Sequence, residues 1–298
     1  MCVLRHEDAR LRPIATVPDL ANTPAVALLL DYTFVPIDNG DAFLDALNDL
    51  FGALQSNGQL WGPHVTGRVG GAFRVTCSVP RRDALAEQYG SQWVRESFEK
   101  VKAQCSNAPT WQVVDERPGS TRKWSDEREL FLYTHLFDET SPVCAGSDGD
   151  PLPLYLLPIE DESRRALTRW MAQYKRYDHL QLDCGPLEVE GYRQLADPAS
   201  ELANEGRELA RDVERATRLP TYYYLMRYWG WTARDEAERL CPGCGQPWKN
   251  PGDRTSSGLA WFDFRCEPCR LVSHIASSSD DADGHPQIGS FHRQGHQG

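Results

Sequence analysis

Val26-Ala-Leu-Leu-Leu-Asp-Tyr-Thr-Phe-Val35 is apolar enough for a buried strand, and Asp38-Asn-Gly-Asp41 after it supplies a turn with candidate helix caps. Phe43, Leu44, Leu47, Leu50, Phe51 and Leu54 then share one helical face, which Asn57-Gly58 closes. Two β-rich runs follow, Gln59 to Thr66 and Ala72 to Val79. They flank Gly67-Arg-Val-Gly-Gly71, a hairpin signal. A second helix is predicted from Leu85, Tyr89, Trp93, Val94, Phe98 and Val101, and Trp111-Gln-Val-Val114 supplies a closing strand. Strand, helix, strand, strand, helix, strand is the order of a ferredoxin-like α+β sandwich, here over residues 25–119 behind an N-terminal extension, 1–24.

The middle of the chain, 120–235, reads as a hairpin plus a mixed helical region. Glu129 to Phe137 is a predicted strand, Ser141 to Pro151 a polar loop, and Leu152 to Leu157 a second strand pairing with the first. Helices are predicted from Glu160 to Tyr177, ended by Asp183-Cys-Gly-Pro186, and from Ser200 to Arg218, ended by Pro220. Next comes the most aromatic stretch, Tyr222-Tyr-Tyr-Leu-Met-Arg-Tyr-Trp-Gly-Trp231. Arg227, Tyr228 and Trp229 have the chemistry to stack on unpaired bases or to meet another partner. Packing of the following module against the body is the reading that interior preferences favour.

That module, 236–276, carries Cys241-Pro-Gly-Cys244 and Cys266-Glu-Pro-Cys269. Two C-x2-C turns bring four thiolates to one tetrahedral ion at about 2.3 Å, so Cys241, Cys244, Cys266 and Cys269 are the expected ligands of one structural zinc ion in a C-terminal zinc ribbon. Four sulfur ligands leave no open position for water or substrate. A redox dithiol or a disulfide pair is the alternative, and the doubled motif is more specific than either. Gly245 suits the positive φ that follows a metal knuckle. The tail, 277–298, is rich in Ser, Asp, Gly and His and is expected to be disordered, leaving His285, His292 and His296 as solvated residues.

The 298 residues, 40% hydrophobic and 25% charged, suit a soluble protein of two domains. No run approaches the roughly 20 apolar residues of a membrane span, and no secretory signal is read. Nine cysteines, mostly without paired spacing, fit free thiols in a reducing cytoplasm. A net charge of -11 opposes nucleic acid and anionic membrane alike. Within the ribbon, Arg265 and Arg270 flank the second knuckle and are the candidate phosphate or partner contacts. No G-x-S-x-G, P-loop or H-E-x-x-H pattern occurs. His64, His135 and His179 are read first as structural groups, Cys184 lacks an identifiable base, and His274 would serve as a ligand only in place of a cysteine. The chain therefore reads first as a non-enzyme. An enzyme using the body domain is a third reading that rests only on these unassigned His and Cys residues, and the oligomeric state is left open.

Glu238-Arg-Leu-Cys-Pro-Gly-Cys-Gly-Gln-Pro-Trp248 and Phe262-Asp-Phe-Arg-Cys-Glu-Pro-Cys-Arg-Leu-Val-Ser273 resemble an uncharacterised bacterial family of zinc-ribbon-containing proteins that carries a nucleic-acid-binding label. The resemblance implies the four cysteines as ligands and no catalytic residue. The leading expectation is a cytosolic α+β protein presenting a structural zinc ribbon to nucleic acid. Its rival is an acidic protein-interaction or immunity-type module that binds a basic protein partner.

Overall fold

The computed structural model describes residues 26–38, 40–118, 122–227, 238–250 and 259–275. The chain divides into two units, one comprising residues 1–121 with 153–156 and the other residues 122–152 with 157–298.

The first unit contains β1 (Val26–Phe34), α1 (Asp41–Ser56), β2 (Trp61–Val69), β3 (Ala72–Val79), α2 (Gln92–Ala103) and β4 (Thr110–Pro118). Its sheet runs β2-β3-β1-β4, antiparallel throughout, which is the strand order of the sandwich predicted from the sequence. Alternation decides the core. Leu28, Leu30 and Phe34 of β1 and Phe73, Val75, Cys77 and Val79 of β3 point to the buried face. There they meet Phe43, Leu47, Leu50, Phe51 and Leu54 of α1. The second helix starts later than its predicted pattern: Ser91 caps it, its side chain accepting from the backbone N–H of Val94 at 3.3 Å. Leu85 and Tyr89 precede the helix and still pack on the core, whereas Trp93 lies exposed on α2.

Leu152 to Leu157 is not a strand. Leu154–Leu156 forms a 3-10 turn, and Tyr155 buries its ring against Tyr89 in the first unit, with centroids 4.9 Å apart. Prolines at 153 and 158 remove the donors that a ladder needs. The partner of β5 (Leu130–Leu132) is instead β6 (Val143–Ala145), inside the segment read as a polar loop.

The second unit packs α3 (Asp161–Leu182), α4 (Glu188–Ala196) and α5 (Glu201–Thr217) with a five-stranded sheet in the order β6-β5-β7-β9-β8. Its remaining strands are β7 (Thr221–Tyr224), β8 (Phe264–Cys266) and β9 (Leu271–Ser273). Strands β5, β7 and β9 are mutually parallel. The tyrosine run therefore supplies a central strand, with Tyr222 and Tyr223 wholly buried, as the packing reading expected. Ser200 caps α5 through the N–H of Ala203 at 3.1 Å.

Candidate metal centre

Both knuckles are built by short antiparallel pairing. Leu240 bridges Pro247 ahead of the first, and the N–H groups of Cys241 and Gly245 donate to Gln246 and Cys241 oxygens at 2.9 and 2.8 Å. The second is the β8–β9 turn, where Cys266 faces Leu271. In each knuckle the residue after the second cysteine adopts positive φ, Gly245 at 71° and Arg270 at 51°. Glycine takes that conformation freely, whereas an arginine pays about 1 to 2 kcal/mol and must be held there.

The four sulfur atoms of Cys241, Cys244, Cys266 and Cys269 lie within 4.8 Å of one another, close enough to hold one metal ion. Cys244 and Cys266 sulfurs are 3.6 Å apart, against an edge of about 3.8 Å for a tetrahedron with bonds of about 2.3 Å. Cys241 and Cys266 are buried, with Cys244 and Cys269 nearer the surface. Burial pushes the Cys269 thiol up to about 11 and Cys266 higher still, with the Cys241 and Cys244 sulfurs adding to both. Cys244 is lowered instead, first by the backbone hydrogen bond of Gln246. Ionising all four in this space calls for a cation, which reverses the local cost of each thiolate.

Around the second knuckle lies a network that the sequence reading missed. Tyr222 is at its centre, with the guanidinium carbons of Arg265 and Arg270 at 4.7 and 5.4 Å from its ring centroid. Arg265 donates to the Tyr222 hydroxyl at 2.7 Å and pairs with Glu129 at 2.9 Å and Glu267 at 2.6 Å. Arg270 pairs with Glu214 of α5 at 3.1 Å and with Glu267 at 2.8 Å. The Tyr222 hydroxyl donates to Glu267. Burial alone would raise the Glu267 carboxyl, but the Tyr222 hydrogen bond and Arg265 outweigh it and hold it below its ordinary value. Its contribution to stability is therefore complete above about pH 4.3 and is lost as pH falls through the lowered folded value. Arg265→Met leaves Glu129, whose side chain is 13% exposed, without its cation. The expected cost is about 2 kcal/mol in a denaturant melt, and an unchanged midpoint would mean that the network carries no stability.

The sequence-nominated residues thus divide. The four cysteines converge, and Arg265 and Arg270 commit their guanidinium groups to three carboxylates. Arg227 is half-buried past the end of β7, while Tyr228 and Trp229 lie outside the described residues. His274 packs on Phe262 at 4.9 Å and stands 3.7 Å from Asp263. Glu129 and Glu214 carried no signal beyond being carboxylates, but Glu267, between two of the clustered cysteines, did.

Among the described residues no helix is long and apolar enough to cross a membrane. Residues 29–115, 125–226 and 230–279 match three families, described as Domain of unknown function (DUF8589), Domain of unknown function (DUF2310) and Domain of unknown function (DUF8594). Of solved structures, Rv0793 from Mycobacterium tuberculosis is 18% identical and covers 33% of this chain and 98% of its own, with a TM-score of 0.23. Two uncharacterized proteins of Haemophilus influenzae are more similar in sequence. One is 31% identical over 188 residues, 63% of this chain and 82% of its own. The other is 30% identical over 240 residues, 77% of this chain and 90% of its own, and the chain belongs to the uncharacterised bacterial family of which that protein is a member.

Proposed function

We propose that the chain is a cytosolic, non-enzymatic binding protein whose four cysteines hold one structural zinc ion and whose partner is a basic protein. Four thiolates without an open position suit zinc in a structural role. The observation that carries the choice of partner is the commitment of Arg265 and Arg270 to Glu129, Glu214 and Glu267. Phosphate contact would have to break those pairs, in a chain of net charge -11.

The first unit supports the same reading. Sheets that bind single-stranded RNA stack bases on aromatic residues of their central strands. On the face of β1 and β3 turned away from the helices stand Asp31 and Thr33 beside Arg74 and Thr76. Asp31 is buried there and pairs with Arg74, accepting also from Gln112 at 3.3 Å. No aromatic platform stands on those two strands.

Gentle purification from native cells, with and without nuclease, tests the proposal. One zinc per chain and a discrete basic protein that stays bound after nuclease are the expected results. Nucleic acid that co-elutes until nuclease is added, with no stoichiometric protein, would overturn the partner and restore nucleic acid as the ligand.

A further inference from the structure

Parallel pairing sets the carboxyl ends of β5, β7 and β9 side by side. The residues at those ends are aromatic. Tyr133 and His135 follow β5, Tyr224 closes β7 and His274 follows β9. Their rings form a continuous ladder. Phe137 to His135 is 6.4 Å between centroids, His135 to Tyr133 is 5.9 Å, and Tyr133 to Tyr224 is 4.9 Å, nearly perpendicular at 83°. Its outer end is open, since Phe137 is 79% exposed. In open sheets this is the edge where ligands gather.

A carboxylate lies under the ladder. Asp178 of α3 is only 4% exposed and accepts from the N–H of Leu136 at 2.6 Å and from Gln181 at 3.1 Å, both neutral donors. No cation pairs with it among the described residues. After burial itself, Asp178 is among the groups that raise the hydroxyls of Tyr133, Tyr174 and Tyr224, while Arg239 acts on Tyr224 in the opposite direction. Thr134, between Tyr133 and His135, is fully buried, and its hydroxyl has no hydrogen-bond partner among the described residues. A buried carboxylate held by neutral donors is costly, and aromatic faces attract cations.

We infer that this corner of the sheet receives the guanidinium group of an arginine side chain on a partner protein, stacked on the Tyr133–His135–Tyr224 ladder with its charge turned toward Asp178. A planar, weakly hydrated guanidinium suits ring faces better than a compact ammonium. Charge complementarity favours it too, with Asp138 beside Phe137 and -11 on the chain as a whole. The inference rests on the proposed basic partner and names the side chain that partner presents.

The test is a titration of the full chain with N-acetylarginine amide, and separately with its neutral isostere N-acetylcitrulline amide, following tyrosine and histidine ring resonances. Saturable shifts confined to the ladder rings and given by the arginine probe alone are expected. Phe137→Ala, an exposed position, and His135→Ala should each weaken binding about fivefold to tenfold. No shift with arginine, or equal shifts with both probes, overturns the site. The titration needs no partner, so the site and the basic-partner reading fail separately: a basic protein that still co-purifies after a null titration removes only this site.

Discussion

Replacing Cys266 with serine is expected to reduce bound zinc to less than about a tenth of the wild-type content and to release β8 and β9 from the sheet. Cys266 is both a sulfur of the cluster and the last residue of β8, where it faces Leu271 of β9. Strand β9 in turn pairs with β7, so the cysteine cluster closes one edge of a five-stranded sheet. A structural zinc site contributes about 10 kcal/mol or more of apparent binding free energy at neutral pH. That is comparable to the whole stability of a domain, about 5 to 15 kcal/mol. Loss of the strand pair would uncover Tyr222, Phe131 and Phe262, which with Val272 form one buried cluster. Metal analysis of the purified variant and hydrogen exchange along β7 and β9 check the expectation. Full zinc content with protected β9 amides would refute the assignment of Cys266 as a ligand. The amides of β1 and β3, which pair within the first unit, are the internal reference.

The features that decide that outcome were unevenly legible. Two C-x2-C turns identify themselves because ligand chemistry fixes both residue type and spacing, and local pairing is enough to form each knuckle. The first sheet was legible for a related reason: β2 and β3 pair across a tight turn, and α1 and α2 carry apolar faces at helical spacing. The second sheet was legible only at β5, which lies inside the strand predicted over Glu129 to Phe137. Its strands are three or four residues long, and β5 and β7 pair in parallel although about ninety residues separate them. Strand β6 hides among Ser, Pro, Gly and Asp, so no alternation marks it. Helix α4 hides for another reason, because Gly191 sits at its middle and lowers its helix propensity. A Cβ at Gly191 would come within 2.9 Å of the Tyr177 carbonyl oxygen, so helix packing, not propensity, selects the glycine. The arginines at the second knuckle were read from sequence as candidate phosphate or partner contacts, since carboxylates at positions 129 and 214 are invisible to any local pattern.

Packing of the same kind makes Gly206→Ala the second substitution with a large expected effect. On propensity alone the change should stabilise α5, because glycine inside a helix costs about 1 kcal/mol relative to alanine. The packing argues the reverse. Gly206 lies on the buried face of α5 with Leu202, Leu209 and Val213, and a Cβ there would run into the Tyr223 ring and stand 2.7 Å from Trp170 Nε1. Neither neighbour has room to yield. Trp170 is wholly buried and donates to the Leu202 carbonyl at 3.1 Å, and Tyr223 lies on the central strand β7 with its ring 5.9 Å from that of Trp170. Relief requires α5 to move away from the sheet, and α5 carries Glu214, the partner of Arg270. Overpacking of this kind costs about 3 kcal/mol, which outweighs the propensity gain. The expected result is a net loss of about 2 kcal/mol and a melting temperature lower by several degrees. Gly206→Ala melting at or above the wild type would mean that the contact between α5, Trp170 and Tyr223 is loose enough to accept a methyl group. The position would then report helix propensity alone.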